Sequence, residues 1–200
     1  MTDKQIERIK QTIKIYRARL AAEKRRFHGY FDNGGSRYII PEFYLKIADY
    51  KGALTYFRWF TKEFPDDSGF PSLNLFWTLT LYQNKKINEA KSKAYKTAFS
   101  NTYLIDLICN KETIGIDKSE LDGSESLVYA KQIVEGCNAL LTPEFKEWIC
   151  RLNKTEDFKS NLNRFISLQK LIKDESIGPL RSKLINESSK LEGLLTGQKT

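Results

Sequence analysis

The sequence predicts an all-α protein, and three features of its 200 residues support that prediction. Glycine and proline are scarce, at 11 and 5 residues, so the chain has few of the turns that an all-β sandwich needs. Apolar residues recur at helical spacing along most of the chain, and no stretch longer than five residues alternates as a strand does. Hydrophobic residues make up 40% and aromatic residues 12%, which is enough for a folded core.

The first predicted helix runs roughly from Asp3 to Phe27 and carries one narrow apolar stripe. The stripe consists of Ile6, Ile9, Ile13, Tyr16, Leu20 and Phe27. His28 follows it, and we expect this residue to be exposed or to cap the helix, where a cation complements the helix dipole. The Asn-Gly-Gly sequence at residues 33–35 then predicts a tight turn, because these residues readily adopt positive φ angles.

Residues that commonly start helices predict where the next four helices begin. Pro41 suits the first turn of a helix, where its missing N–H is not needed. Asp49 is a natural N-cap for a helix that ends near Phe64. Pro71 opens another helix, and Asn88 is the expected cap of the one that follows.

The last third of the chain predicts four more helices. They span 127–141, begin at Thr142-Pro143, begin after Thr155, and begin near Gly178-Pro179. Residues 110–124 before them are polar and interrupted by glycine, which predicts a loop, and a mobile one. We therefore expect a single domain over 1–200, with a repeat-containing part at 1–109 and C-terminal helices at 125–200 as its subdivision.

Two stretches of the middle region resemble each other. Residues 42–67 and 75–101 each combine an aromatic-rich helix, a short polar turn and a second helix with a small residue at its crossing point. The small residues are Ala53 and Ala90, which are 37 positions apart. Alanine is expected there because two helices can approach closely only over a small side chain.

The first of these stretches resembles a tetratricopeptide repeat (TPR), a helix pair with a period of about 34 residues. Tyr50 precedes Ala53 by three residues, Phe57 follows it by four, and Pro65 closes the unit. The second stretch is a degenerate copy, so the resemblance covers two units over about residues 38–104. It implies a stack of antiparallel helix pairs with the N- and C-terminal helices packed on either side.

The same resemblance implies a function and a site. Tetratricopeptide proteins are mostly non-catalytic scaffolds that hold a partner peptide or helix in a groove lined by the first helix of each pair. Carried over to this chain, the groove-lining residues are Tyr38, Glu42, Lys46, Tyr82 and Gln83. The competing interpretation is that the C-terminal helices cover these residues and fill the groove.

Charge supports a second hypothesis about the partner. The net charge is +8, and residues 1–30 carry nine lysines and arginines against three acidic residues, so most of the excess lies on the first helix. A basic helix with nearby aromatics is typical of nucleic-acid binding, for which Arg17, Lys24, Arg25 and Arg26 are the candidates. The alternative is a solvated helix face or one that contacts an acidic protein.

Composition argues against an enzyme, a cofactor or a metal site. His28 is the one histidine, and no cysteine lies close enough to another to form a metal-binding pair. An enzyme of an unrecognised all-α type remains the third hypothesis. The wide spacing of Cys109, Cys137 and Cys150 suggests reduced, buried thiols. With no apolar segment typical of a signal peptide or a membrane span, we expect a cytoplasmic protein with no membrane partner.

Overall fold

The computed structural model of the protein describes residues 1–113, 115–116 and 123–197. Within those ranges the chain forms ten α-helices and no β-strand, so the predicted all-α class is confirmed. The helices are α1 (Asp3–Phe27), α2 (Ser36–Lys46), α3 (Tyr50–Glu63), α4 (Pro71–Gln83), α5 (Ile87–Ser100), α6 (Leu104–Ile108), α7 (Leu127–Cys137), α8 (Pro143–Leu152), α9 (Glu156–Asp174) and α10 (Pro179–Thr196). None of the described helices is long and apolar enough to cross a bilayer.

Helix α1 has the predicted bounds because both of its ends are capped. At its start, the Thr2 hydroxyl accepts from the N–H of Gln5 and the Gln5 side chain accepts from the N–H of Thr2, which forms a capping box. At its end, exposed His28 occupies the predicted capping position with φ 56°. Leu20 of the apolar stripe is buried, whereas Phe27 is 48% exposed, so the stripe ends before the last turn.

The prediction that Pro41 opens the second helix is wrong, because α2 begins at Ser36 and carries Pro41 in its interior. The helix begins early since the Asp32 carboxylate accepts from the N–H groups of Ser36 at 2.7 Å and Arg37 at 3.0 Å. Proline has no N–H for the carbonyl four residues earlier, which belongs to Arg37. The Tyr56 hydroxyl donates to that carbonyl at 2.9 Å, so a tertiary contact replaces the missing helical hydrogen bond.

In the rest of the middle region, the residues expected to start helices do so, with one exception. The Asp49 side chain caps α3 and Pro71 is the first residue of α4, as predicted. Asn88 is not a cap, because α5 already begins at Ile87. The Lys86 carbonyl before it accepts the first helical hydrogen bond, which places Asn88 inside the first turn.

Two helix pairs form the centre of the molecule. Residues 47–49 join α2 to α3, and residues 84–86 join α4 to α5. Helix α4 packs on α5, and α2 contacts α1, α3 and α4. Ala53 and Ala90, the small residues that the sequence predicts at helix crossings, are both 0% exposed.

The C-terminal helices pack on this centre through contacts with α4, α5 and α6. Thr142 and Thr155 cap α8 and α9, as predicted, and α10 opens at Pro179, whereas α7 ends at Cys137 and not at residue 141. Helices α9 and α10 pack on each other and on α5, and α8 contacts α4 and α6. The seam between α5 and α9 contains stacked rings, which lie in the pairs Tyr95–Phe158 and Phe99–Phe165.

The cysteines differ from the expectation of three reduced thiols. Cys109, after α6, and Cys150, on α8, form a disulfide across a sequence separation of 41, with their Cα atoms 5.4 Å apart. The expectation failed because sequence spacing carries no information on which cysteines the fold brings together. Cys137 is free and buried, and burial raises the pKa of its thiol to about 11. Cysteine usage therefore no longer argues for a reducing compartment.

The segment predicted as a loop lies partly outside the described residues. Residues 114 and 117–122 are among those not described, so the predicted mobility of 110–124 stays a prediction. Between them, buried Ile116 donates its N–H to the Thr102 hydroxyl at 3.1 Å. Buried residues from Ile13 to Leu191 belong to one continuous cluster, so the two predicted parts of the chain share a core.

Candidate functional site

A basic cleft separates the C-terminal half of α1 from α3. It has a volume of about 420 Å³. Helix α1 reaches across its partner helices because its buried stripe packs on α2, which leaves the last turns of α1 beside α3. The chain then turns back after His28 and places Tyr30 against Trp59 of α3. The lining residues of the cleft are Arg17, Ala21, Lys24, Arg25, Tyr30, Trp59 and Glu63.

One carboxylate and three cationic side chains face this cleft. Glu63 pairs with Lys24 and accepts from the Tyr30 hydroxyl at 2.9 Å. Lys24 and then Tyr30 lower the pKa of Glu63 by these hydrogen bonds. Burial, reinforced by Glu63, raises the pKa of Tyr30 to about 12, so this hydroxyl stays a donor at neutral pH.

The two arginines supply the unbalanced charge. Arg17 donates to the Tyr44 hydroxyl at 3.3 Å, a neutral partner that leaves its charge uncompensated. Arg25 is exposed and forms no ion pair with any residue that the structure describes. Since Glu63 balances only Lys24, the cleft as a whole is positive.

The aromatic wall of the cleft is already engaged inside the protein. Trp59 packs against Tyr30 with ring centroids 6.0 Å apart, against Tyr56 at 5.1 Å and against Phe64 at 5.7 Å. Lys24 lies over the Tyr30 ring, 5.7 Å from its centroid. The rings therefore form a rigid wall with few free faces.

The four residues of the nucleic-acid hypothesis are largely brought together. Arg17, Lys24 and Arg25 line the cleft. Arg26 does not line it, because its guanidinium lies over Phe27, 5.0 Å from the ring centroid. Trp59 and Glu63 of the cleft could not be predicted from the sequence, because they lie on α3 and only tertiary contacts join them to α1.

The groove residues predicted on α2 have internal partners. The Tyr38 hydroxyl donates to Asp67 at 2.6 Å and accepts from Arg37 at 2.7 Å. Burial, reinforced by Asp67, raises the pKa of Tyr38 to about 12. Glu42 and Lys46 form an ion pair with each other at 2.6 Å, one turn apart on α2.

The groove residues predicted on α4 contact α8. The Tyr82 ring packs against Phe145 and Trp148, with centroids 5.6 and 5.0 Å away. Gln83 donates to the Thr142 hydroxyl at 2.9 Å. Both residues lie in the last turn of α4, whereas Tyr38 packs against Phe70, just before its first turn. The structure thus places Tyr38 near one end of α4 and Tyr82 and Gln83 at the other, so the predicted residues do not form one groove.

Two aspartates in the connections before α2 and after α3, Asp32 and Asp67, have structural roles. The Asp32 carboxylate holds the turn at residues 33–35 by accepting from the start of α2. Asp67 accepts from the N–H of Gly69 at 2.9 Å and from Arg37 at 3.0 Å, as a residue of an interhelical turn does.

Among the described residues, no group of three or more His, Cys, Asp and Glu side chains could hold a metal ion. Comparison with known proteins adds no family: no family model matches the chain, and neither the curated proteins nor the solved structures contain a match.

Proposed function

We propose that the protein is a non-catalytic interaction scaffold that binds an acidic segment of a partner protein in the cleft between α1 and α3. The pairs α2–α3 and α4–α5 are two TPR-like units in this proposal, and they hold the cleft in place. Their short connections and the buried alanines Ala53 and Ala90 support this assignment.

The observation that supports this function best is the unbalanced charge of the cleft. Arg17 and Arg25 lie on its rim with no carboxylate partner in the described part of the chain, and the wall behind them is rigid and aromatic. Carboxylates of a partner would pair with the guanidinium groups, which suit planar two-point contacts. An apolar side chain between these carboxylates would pack on Ala21 and the edge of Trp59.

The groove implied by the repeat resemblance offers less free surface. Tyr82 and Gln83 contact α8, and the Tyr38 hydroxyl is bound to Asp67. Only Glu42 and Lys46 of the five residues lie on an open helix face, and they neutralise each other. A partner entering the groove would first have to displace α8, which the cleft does not require.

The test uses a fluorescein-labelled decapeptide in which glutamate and leucine alternate, with a glutamine-for-glutamate peptide as its neutral counterpart. Arg17→Gln with Arg25→Gln should weaken binding of the acidic peptide about tenfold, since each lost contact contributes up to about 1 kcal/mol. Arg8→Gln with Lys14→Gln removes the same charge from exposed positions of α1 outside the cleft and should bind almost as the unmodified protein does. Equal weakening in both variants would refute the cleft as the site.

Nucleic-acid binding is the second candidate, and the gathering of Arg17, Lys24 and Arg25 on one cleft favours it. Two features weigh against it. Base stacking requires free ring faces, and the Trp59 ring already packs against three other rings; in addition, the carboxylate of Glu63 repels phosphate. A salt titration with a labelled single-stranded RNA distinguishes the candidates, because a steep fall of log affinity with log salt is typical of phosphate contacts.

A further inference from the structure

The turn between α3 and α4 and one side of α5 enclose a cavity of about 170 Å³, which shares no lining residue with the basic cleft. Phe64 and Trp77 form part of its wall, and two lysines of α5, Lys93 and Lys96, line it. Because they are three residues apart, the two lysines lie on the same face of the helix. Lys96 also borders a second cavity of about 380 Å³, which residues of α9 and α10 help to line.

The ammonium groups in this cavity lack counter-ions. Lys96 is only 6% exposed, and within the ranges that the structure describes it makes no hydrogen bond or ion pair. The Lys93 ammonium lies 3.7 Å from the centre of the Trp77 ring, and no carboxylate of the described residues pairs with it. A buried charge without a partner is costly, so proteins rarely retain one without a use.

The pKa values reflect the missing partners. Burial lowers the pKa of Lys96, and burial together with the charge of Lys96 lowers the pKa of Lys93 to about 7. An anion between the two lysines would reverse both effects, because it would favour the charged form of each.

The two carboxylates that act on Lys96, those of Glu192 and Asp67, do not supply that anion. Asp67 accepts from Arg37 at 3.0 Å, from the Tyr38 hydroxyl at 2.6 Å and from the N–H of Gly69 at 2.9 Å, so both of its oxygens are already engaged. Glu192 of α10 favours the charged form of Lys96, but the two form no ion pair among the described contacts. Among the described residues no carboxylate is bound to either lysine, so both can contact an anionic ligand.

We propose that this cavity binds the phosphate group of a small phosphorylated molecule, with Lys93 and Lys96 as its cationic ligands. Two ammonium groups match a phosphate, which carries about −1.5 to −2 near pH 7, better than they match a single carboxylate. The apolar wall around Trp77 strengthens their attraction by excluding water. The rest of the molecule extends past Lys96 into the larger cavity, where Gln169 and Glu192 can bind its hydroxyl groups.

The experiment measures binding of three probes by isothermal titration calorimetry at constant ionic strength and below pH 7. The probes are inorganic phosphate, glycerol 3-phosphate and glycerol. We expect both phosphates to bind and glycerol not to bind, with glycerol 3-phosphate the tighter of the two. Lys96→Gln and, separately, Lys93→Gln should weaken phosphate binding about tenfold or more, since a charged hydrogen bond contributes about 1.5–3 kcal/mol.

Lys51→Gln is the matched control, because Lys51 is exposed on α3 and does not line the cavity. It should bind phosphate as the unmodified protein does. Circular dichroism checks that the cavity variants fold. We expect them to fold, because each substitution removes an unpaired buried charge. Absence of phosphate binding, or equal loss in Lys51→Gln, would overturn the proposal. Glycerol 3-phosphate binding no more tightly than phosphate would refute the extension into the larger cavity.

Discussion

Removing the bond between Cys109 and Cys150 should destabilise the protein by about 4 kcal/mol. The bond closes a sequence separation of 41 residues that includes all of α7. In the chain-entropy account, a cross-link stabilises mainly by restricting the unfolded chain, and a closed loop of about 40 residues corresponds to about 4 kcal/mol. The perturbation is the double variant Cys109→Ser with Cys150→Ser, which leaves no unpaired thiol at the site.

Urea denaturation followed by far-ultraviolet circular dichroism measures the effect. Without reductant, the double variant should unfold at a lower urea concentration than the unmodified protein, with a steeper slope because its unfolded chain is less compact. Reductant should lower the midpoint of the unmodified protein to nearly the same value and leave the double variant unchanged. Cys137→Ser serves as the control, because it removes the free thiol and should retain the response to reductant.

Thiol titration of the denatured, unreduced protein provides an independent check. It should detect one thiol, that of Cys137. Three titratable thiols, or a urea midpoint that reductant does not move, would refute the reasoning.

Three further substitutions test the packing of α3 and the cost of burying the charge of Lys93. Ala53→Leu should cost about 1–3 kcal/mol in the free energy of unfolding, because Ala53 is 0% exposed; an unchanged melting temperature would contradict a close helix crossing there. Gly52→Ala should lower the melting temperature although alanine favours helices, because a Cβ at this position meets the Asp49 carboxylate that caps α3. Lys93→Met should raise stability by roughly 2–4 kcal/mol at pH 6, since burial and Lys96 lower the pKa of Lys93 to about 7 and the unfolded chain binds the proton more tightly. The stability of the unmodified protein should rise with pH above about 7, so the gain from Lys93→Met should shrink toward pH 10; a gain independent of pH would contradict this cause.

The helix starts could be predicted where the signal is local. Thr142, Thr155 and Asp49 each lie three residues before the N–H group that their side chains accept from, and that spacing is visible in the sequence. The prediction that Pro41 opens α2 was wrong, because the group that compensates for its missing N–H is the Tyr56 hydroxyl, on another helix. Local patterns thus predict a helix boundary well unless a side chain from a distant element supplies one of its hydrogen bonds.

The candidate sites show the same limit. The basic excess of α1 was visible, but the wall of the cleft comes from Trp59 and Glu63, and the contact between Lys24 and Glu63 spans 39 residues. Nothing in the sequence indicated that Lys96 is buried, because its burial depends on the packing of α9 and α10 over α5. Pairing across such distances depends on tertiary structure, which charge and spacing along one chain do not specify.

The seam between α5 and α9 also has a consequence for the order of folding. Its contacts join residues far apart in the chain: Tyr95 donates to Asp157 across 62 positions, and Lys91 pairs with Asp157 across 66. By contrast, only residues 84–86 separate α4 from α5, so this hairpin can form rapidly from local contacts. During synthesis the hairpin emerges well before α9 exists. The aromatic face of α5, with Tyr95 and Phe99, is therefore exposed until the C-terminal third is made, and docking of α9 is the late step that protects it from aggregation.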